Sequence, residues 1–127
     1  MLHYTSVTEK ISVTVSPVYL DAESNYFLDR FAFAYYVMIT NHRRDPVQLL
    51  RRYWNIQEKD HAPREVEGAG VIGQQPLINP GESYYYNSFC ILNSFEGSME
   101  GNYTMETESG DKLVVEIPKF DLKARVN

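Results

Sequence analysis

The chain has little of three things that mark common protein classes: cysteine, positive charge and long apolar runs. Cys90 is the only cysteine in 127 residues, which excludes an internal disulfide framework and any Cys-x-x-Cys metal knuckle and favours a reducing compartment. The 12 basic residues are outnumbered by 17 acidic ones, giving a net charge of −5, so we expect no nucleic-acid partner. No stretch approaches the ~20 apolar residues of a membrane span, and residues 1–7 lack a signal-peptide pattern. We therefore expect a cytoplasmic protein that does not associate with membranes.

The rest of the composition is that of a globular protein. With 43% hydrophobic and 23% charged residues, disorder is disfavoured, and the length fits one domain over residues 1–127 with its core at about residues 9–124. His3, His42 and His61 have no partner histidine at a metal-binding spacing, so we predict neither a metal site nor a cofactor. No G-x-S-x-G nucleophile elbow occurs, and we predict no catalytic residue and no enzymatic activity.

Alternation of apolar and polar residues with a period of two dominates the chain. It predicts strands at about residues 11–16, 31–40, 47–57, 64–67, 84–89, 98–105 and 112–117, the last of them ended by Pro118. No window sustains helical spacing for three turns. Seven to eight short antiparallel strands indicate an all-β sandwich of the immunoglobulin or fibronectin type III kind, with a closed β-barrel as the alternative.

One turn resembles a feature of such sandwiches. Ile78, Pro80-Gly81 and Tyr84 have the spacing of a tyrosine corner, in which the phenol hydroxyl bonds back to the chain upstream.

The segment Gly68–Gly73 matches the G-x-G-x-x-G pattern of dinucleotide sites. In those sites glycine lets backbone N–H groups approach a pyrophosphate, and a following helix presents its positive end to it. Pro76 and Pro80-Gly81 follow here and leave no room for a helix. The pattern therefore favours a crossover between strands built on Gly68, Gly70 and Gly73. A backbone nest that binds an anion without a helix is the alternative.

Arg52 conflicts with the strand pattern around it. If Leu50, Trp54 and Ile56 face the core, strict alternation places Arg52 on the same face, where an unpaired guanidinium is costly. We expect either a bulge that re-aims Arg52 or a carboxylate that pairs with it. The functional alternative is a contact with an anion or a partner, beside Tyr53 and the glycine segment.

Two further groups are candidates for a binding surface. Tyr36 and Tyr85 occupy strand positions that would face outward, where exposed aromatic residues recur in protein interfaces; covering the sheet face is the alternative. Four arginines lie close together in sequence and would form either a positive patch or ordinary solvated surface: Arg43, Arg44, Arg51 and Arg52.

Several segments together resemble the bacterial ApaG family. They are Q-L-L-R-R-Y-W-N-I at 48–56, the glycine-containing stretch 65–76 with Ile78, Pro80-Gly81 and Tyr84 after it, G-S-M-E-G-N-Y at 97–103 and I-P-K-F at 117–120. The resemblance extends over residues 9–124. It implies a fibronectin type III/immunoglobulin-like sandwich, a link to cobalt and magnesium resistance, and relatives within eukaryotic F-box and polymerase-interacting proteins. It also implies a pyrophosphate-binding role for Gly68, Gly70 and Gly73.

Three functions remain open on this basis. The first is a non-enzymatic protein-binding or accessory module that uses Arg52, Tyr53 and Tyr85, with the oligomeric state undecided and a homodimer among the options. The second is a phosphate- or nucleotide-binding protein that uses the glycine segment with Arg52 nearby. The third is a hydrolase of phosphorylated small molecules, for which the sequence offers no general base or metal cage. We expect the first.

Overall fold

The computed structural model describes residues 2–124, which form two antiparallel β-sheets packed face to face. Sheet 1 has the strand order β1-β2-β3-β7, and sheet 2 has the order β5-β4-β8-β9, with the short β6 paired to the start of β4. Two separate sheets confirm the predicted sandwich over the closed barrel. The strand bounds are β1 Tyr4–Thr8, β2 Ile11–Tyr19, β3 Phe31–Asn41, β4 Val47–Glu58, β5 Arg64–Ala69, β6 Leu77–Ile78, β7 Ser83–Leu92, β8 Glu96–Thr107 and β9 Lys112–Lys123.

The core lies between the sheets and is supplied by alternate residues of the long strands. At its centre the indole of Trp54 lies 5.3 Å from the ring of Tyr35 and 5.9 Å from that of Phe120, measured between ring centroids. These rings come from β4, β3 and β9, so the cluster joins the two sheets. Because edge-on aromatic pairs add to the burial energy of their surfaces, this cluster fixes how one sheet sits on the other.

Three features of the strands differ from the sequence predictions. β1 and β6 were not predicted, because β6 has only two residues and the inward positions of β1 include Ser6 and Thr8. β9 does not end at Pro118 but continues to Lys123. Proline is tolerated there because Pro118 and Lys119 together oppose the single residue Glu100, a β-bulge at which no ladder hydrogen bond is needed from the proline nitrogen.

The turn into β7 is not held as a tyrosine corner. Within residues 2–124 the hydroxyl of Tyr84 makes no hydrogen bond; its ring instead lies 6.3 Å from that of Tyr86. The buried side chain of Asn41 holds this turn instead. Its Nδ2 donates to the carbonyls of Asp45 (2.9 Å) and Ile78 (3.0 Å), and its backbone exchanges hydrogen bonds with Gly81 and Glu82. A buried amide therefore ties this turn to the end of β3.

The two sides of the sandwich are closed differently. On one side β1 lies against β9, where Ser6 Oγ donates to the Glu116 carbonyl (2.8 Å) and Glu116 N donates to Thr8 Oγ1 (3.1 Å). On the other side β5 and β7 are the outer strands of their sheets, so the space between the sheets opens there. Among residues 2–124 no helix combines the length and apolar character needed to cross a membrane.

Candidate functional site

The glycine segment is a tight hairpin and not a cofactor cradle. Val71 and Gln74 exchange backbone hydrogen bonds of 2.8 and 2.9 Å across a two-residue turn. The central residues of the turn, Ile72 and Gly73, have φ values of 48° and 73°, as a type I′ turn requires. No helix follows Gly73; the chain passes into β6. The segment connects two strands as expected, but β5 and β6 both pair with β4, so it is a turn within sheet 2.

Most backbone N–H groups that an anion could use are bonded within the chain. Gly70 N donates to the Leu50 carbonyl (2.8 Å), and the N–H groups of Val71 and Gln74 bond to each other's carbonyls. A Cβ on Gly70 would lie 2.1 Å from the carbonyl oxygen of Gln74, so close approach of two backbone segments explains this glycine. Few backbone N–H groups of the segment therefore remain for the anion-binding nest that was the alternative prediction.

Arg52 is accommodated by neither of the two expected devices. The β-bulge lies between Leu49 and Arg51, so that Leu49 is buried and Leu50 only half-buried, but Arg52 remains on the inward side with Trp54. No carboxylate within residues 2–124 pairs with it. Its Nη1 instead donates to the carbonyls of Ala69 (3.1 Å) and Gly70 (2.9 Å). Backbone carbonyls thus take the place of the expected acid or bulge.

Gly68 and Arg52 form one structural unit. They are paired across β5 and β4, and a Cβ on Gly68 would lie 3.1 Å from Nη1 and 3.3 Å from Nη2 of Arg52. The guanidinium therefore occupies the space that a side chain at position 68 would fill. The R-Y-W motif and the first glycine of the glycine segment are joined by this contact.

Arg52 lines a cleft at the open side of the sandwich, between β4 and β5 on one side and β3 and β7 on the other. The inter-sheet cleft has two lobes of about 240 and 250 Å³. Both lobes are lined by Tyr35, Arg52, Trp54 and Ser88. The first is completed by Ala69, Val71, Ile72, Gly73 and Tyr86, and the second by Ile56, Arg64, Val66, Phe89, Cys90, Ile91 and Met99.

Arg64 closes the far end of the cleft, which the sequence did not predict. Its Nη2 donates to the Ile91 carbonyl of β7 (3.0 Å), and its Nε lies 3.7 Å from Glu58 Oε2. The Glu58 carboxylate is buried and accepts a hydrogen bond from Asn93 N. A usable signal was that Glu58 continues the inward series of Trp54 and Ile56, although the predicted strand ended one residue earlier, at about residue 57.

Three phenols lie beside the cleft, of which Tyr35 and Tyr103 are buried residues and Tyr86 is half-buried. Burial raises the pKa of Tyr86 and Tyr103, whose hydroxyls are hydrogen-bonded to each other, well above the usual range. Burial also raises the pKa of Tyr35, and the nearby Ser88 hydroxyl and the charge of Arg52 oppose that rise only in part. All three hydroxyls are therefore neutral at physiological pH.

Cys90 is expected to be unreactive in the folded protein. Burial raises the pKa of its thiol to about 11, against the opposing effect of Arg64. Since an ordinary thiol has a pKa of about 8.5, the thiolate fraction at about pH 8 falls on the order of 100-fold. We expect dithionitrobenzoate to label the native protein at least that much more slowly than the chain in denaturant. Equal labelling rates in the two conditions would contradict the burial of the thiol.

The other predicted site residues lie apart from the cleft. Tyr53 is on the face of β4 opposite to Arg52, across from Glu67 and Asn102. The four arginines do not act as one patch, because Arg43 is bonded to Asp45 (2.8 Å) and the side chains of Arg51 and Arg52 lie on opposite sides of β4. Tyr36 and Tyr85 point outward from sheet 1, as expected.

Comparison with known proteins identifies the family. The model of the ApaG domain matches residues 21–107. The chain belongs to the ApaG family. The protein named ApaG of Methylobacterium sp. (strain 4-46) is 48% identical over 119 residues, which cover 94% of this chain and 92% of that protein. ApaG of Agrobacterium fabrum (strain C58 / ATCC 33970) is 44% identical with the same coverage of both chains.

A solved structure agrees with this assignment. The crystal structure of an ApaA protein from Bordetella pertussis superposes with a TM-score of 0.87 at 38% identity, and the match covers 90% of this chain and 93% of that one. The resemblance noted in the sequence is thereby confirmed. The names of these ApaG relatives indicate no catalytic activity.

Proposed function

We propose that this member of the ApaG family is a non-enzymatic module that binds another protein through the outer side of sheet 1. The proposal rests on one observation, a contiguous set of exposed apolar side chains on β3 and β7, called here the β3–β7 face. Tyr36, Tyr85 and Phe89 are 50%, 68% and 66% exposed, and Ile91 is 39% exposed. Large exposed aromatic groups in one patch are typical of protein-binding surfaces, where tyrosine supplies much of the binding energy.

The register of the sheet makes these side chains neighbours. Asn87 lies directly opposite Tyr36, so Tyr36 stands diagonally between Tyr85 and Phe89. Such diagonal positions are about 7–8 Å apart and within reach of aromatic rings. Ala34, opposite Phe89, is small and buried, which leaves the Phe89 ring standing above the sheet. The patch is therefore formed by the fold and not by isolated exposed residues.

β7 also lacks the features that protect outer strands. From Ser83 to Leu92 it contains no charged residue and no proline. Soluble proteins usually guard such strands with charges or proline, as β5 does here with Arg64, Glu65 and Glu67. An uncharged outer strand beside an aromatic patch supports a partner that contributes an extended, largely apolar segment.

The histidines lend no support to the hydrolase alternative. Each of the three is hydrogen-bonded to a serine: His3 to Ser16 (2.6 Å), His42 to Ser12 (3.1 Å) and His61 to Ser94 (3.1 Å). Hydrolytic triads need a third group that orients the histidine, and no carboxylate in the described part of the chain pairs with any of them. We further propose that the link to cobalt and magnesium resistance, which the sequence resemblance implies, would act through the bound protein.

Site-specific photocrosslinking in cells tests the proposal. We expect p-benzoylphenylalanine at position 85 or 89 to give a discrete adduct with one protein, in at least roughly ten-fold higher yield than the same group at position 114. Val114 is a matched control, since it is also apolar and 53% exposed but lies on β9 of sheet 2. An adduct of twice the chain mass would identify a second copy as the partner. Equal yields at the three positions would refute the choice of the β3–β7 face.

A further inference from the structure

We propose that the inter-sheet cleft binds a planar carboxylate, carried by a small molecule or by the end of a protein chain, with Arg52 as its charge partner. The cleft lies on the inward side of β7, whereas the β3–β7 face lies on the outward side. Phe89 and Ile91 belong to that face and also line the second lobe, but no residue of the face lines the first lobe, where Arg52 lies. Substitution of Arg52 therefore tests this proposal without altering the face.

In the Arg52 guanidinium, Nη1 is hydrogen-bonded within the chain, whereas the edge formed by Nε and Nη2 has no hydrogen-bond partner among residues 2–124. Nη1 donates to the carbonyls of Ala69 and Gly70 and so holds the side chain in place. Nε and Nη2 have no acceptor among residues 2–124. These two N–H groups point in parallel and match the two oxygens of a carboxylate, which is the geometry of bidentate arginine–carboxylate pairs. The group is thus oriented by the chain but lacks a counter-charge.

The lining of the cleft favours an anion. Neither lobe is lined by an aspartate or glutamate, although the chain carries 17 of them and a net charge of −5. Arg52 and Arg64 are the charged residues that line it. Ser88 adds a neutral hydroxyl that can donate a hydrogen bond. Because the guanidinium is half-buried, its attraction for an anion is screened less than at an open surface.

Size and wall chemistry indicate the class of ligand. A lobe of about 240 Å³ is smaller than a typical drug-binding pocket, so it suits a ligand of roughly ten non-hydrogen atoms. Trp54, Val71 and Ile72 provide apolar walls beside Arg52, which suit a flat, apolar body. A pyrophosphate would need more positive charge than Arg52 supplies to this lobe. The N–H groups of Gly70, Val71 and Gln74 are already bonded within the chain. A monocarboxylate fits both the charge and the walls.

Trp54 provides a direct measurement, since it is the only tryptophan in the chain and lines both lobes. We expect sodium benzoate to change its fluorescence saturably at millimolar concentration, which corresponds to about 4 kcal/mol of binding. Benzamide has the same ring but no charge and is expected to bind at least ten-fold more weakly. This comparison uses the unmodified protein and does not depend on any variant.

Variants then assign the charge partner. Arg52→Gln should lower benzoate affinity at least ten-fold. Arg52→Lys should bind benzoate little better than Arg52→Gln, because an ammonium lacks the two parallel N–H groups of a guanidinium. Arg51→Gln is the matched control, since Arg51 is adjacent in β4 but faces the other way, and it should bind like the wild type. Thermal unfolding of each variant verifies that it is folded. Binding retained by a folded Arg52→Gln protein would overturn the proposal.

A second pair of probes distinguishes the source of the carboxylate. N-acetylphenylalanine and its amide represent the end of a protein chain with and without its charge. Tighter binding of N-acetylphenylalanine than of benzoate would indicate a chain terminus, and the reverse a free small acid; both support a carboxylate site. The proposal fails if neither acid binds saturably, if the amides bind as well as the acids, or if pyrophosphate alone binds.

Discussion

Replacing Gly101 with alanine is expected to destabilise the protein by at least about 4 kcal/mol, an amount on the scale of the whole stability of a domain. A Cβ at this position would lie 1.9 Å from the carbonyl oxygen of Tyr53 and 3.1 Å from Cα of Trp54. These are backbone atoms of the paired strand β4, so β8 could accept alanine only by moving away from it. Close packing on both sides of the sheet opposes that movement. Urea unfolding, or the yield of soluble protein, measures the effect.

Gly110→Ala is the matched control. Gly110 lies in the turn between β8 and β9 with a φ of 91°, and apart from its own residue and its two chain neighbours no heavy atom lies within 4 Å of the Cβ position. Its substitution should cost only the strain of the backbone conformation, about 1–2 kcal/mol. If the two substitutions cost the same, the close approach of β8 to β4 at Gly101 would not be what requires glycine there.

Alkaline pH is expected to weaken the fold through the phenols of Tyr86 and Tyr103. Their pKa values are raised by burial, so above about pH 10 the unfolded chain releases these two protons while the folded chain keeps them. The resulting stability is complete below about pH 10 and is lost as the pH rises towards the folded pKa values. At pH ~11 the loss is about 1.4 kcal/mol for each phenol, or about 3 kcal/mol together. Urea unfolding at about pH 8 and pH 11 measures it.

Tyr103→Phe isolates this effect from the titration of lysines. The variant should lose about half as much stability between the two pH values, although its stability at neutral pH is lower because Tyr86 loses its hydrogen-bond partner. Absorbance at the phenolate band offers a second measurement, since the buried phenols should ionise only when the chain unfolds. Ionisation of all ten tyrosines near pH 10 in the folded protein would contradict the expectation.

The fold could be predicted from sequence because the two-residue period is strong in the long strands. β3 shows it with Phe33, Val37 and Ile39 inward, and Pro76 together with Pro80-Gly81 correctly argued against a helix after the glycine segment. The incorrect predictions concern single positions in strands where the regular pairing is interrupted. Strict alternation cannot anticipate a bulge, so Leu50 was assigned to the core where Leu49 is buried, and the strand was ended at Pro118 where a bulge accommodates the proline.

The site was harder to predict because its parts are brought together only by tertiary structure. Arg52 was singled out for its conflict with the strand pattern, but the carbonyls that hold it belong to residues 17 and 18 positions away. Arg64 seemed an ordinary polar residue of a short strand, and its contact with Ile91 depends on how the two sheets face each other. Pattern reasoning identifies residues that need an explanation, whereas the partner of each depends on sheet packing.

The seam between β1 and β9 determines when the protein can fold during synthesis. Ser6 and Glu116 are 110 positions apart, yet they are in direct contact. Until residues 112–123 have left the ribosome, β8 has no neighbour on that side and β1 has nothing to lie against. Closing so long a loop is slow, because the intervening chain loses conformational entropy before the contacts between β1 and β9 form and compensate for that loss. Acquisition of the native state is therefore expected only after β9 has left the ribosome, and a nascent chain stalled before β9 would offer chaperones an open strand.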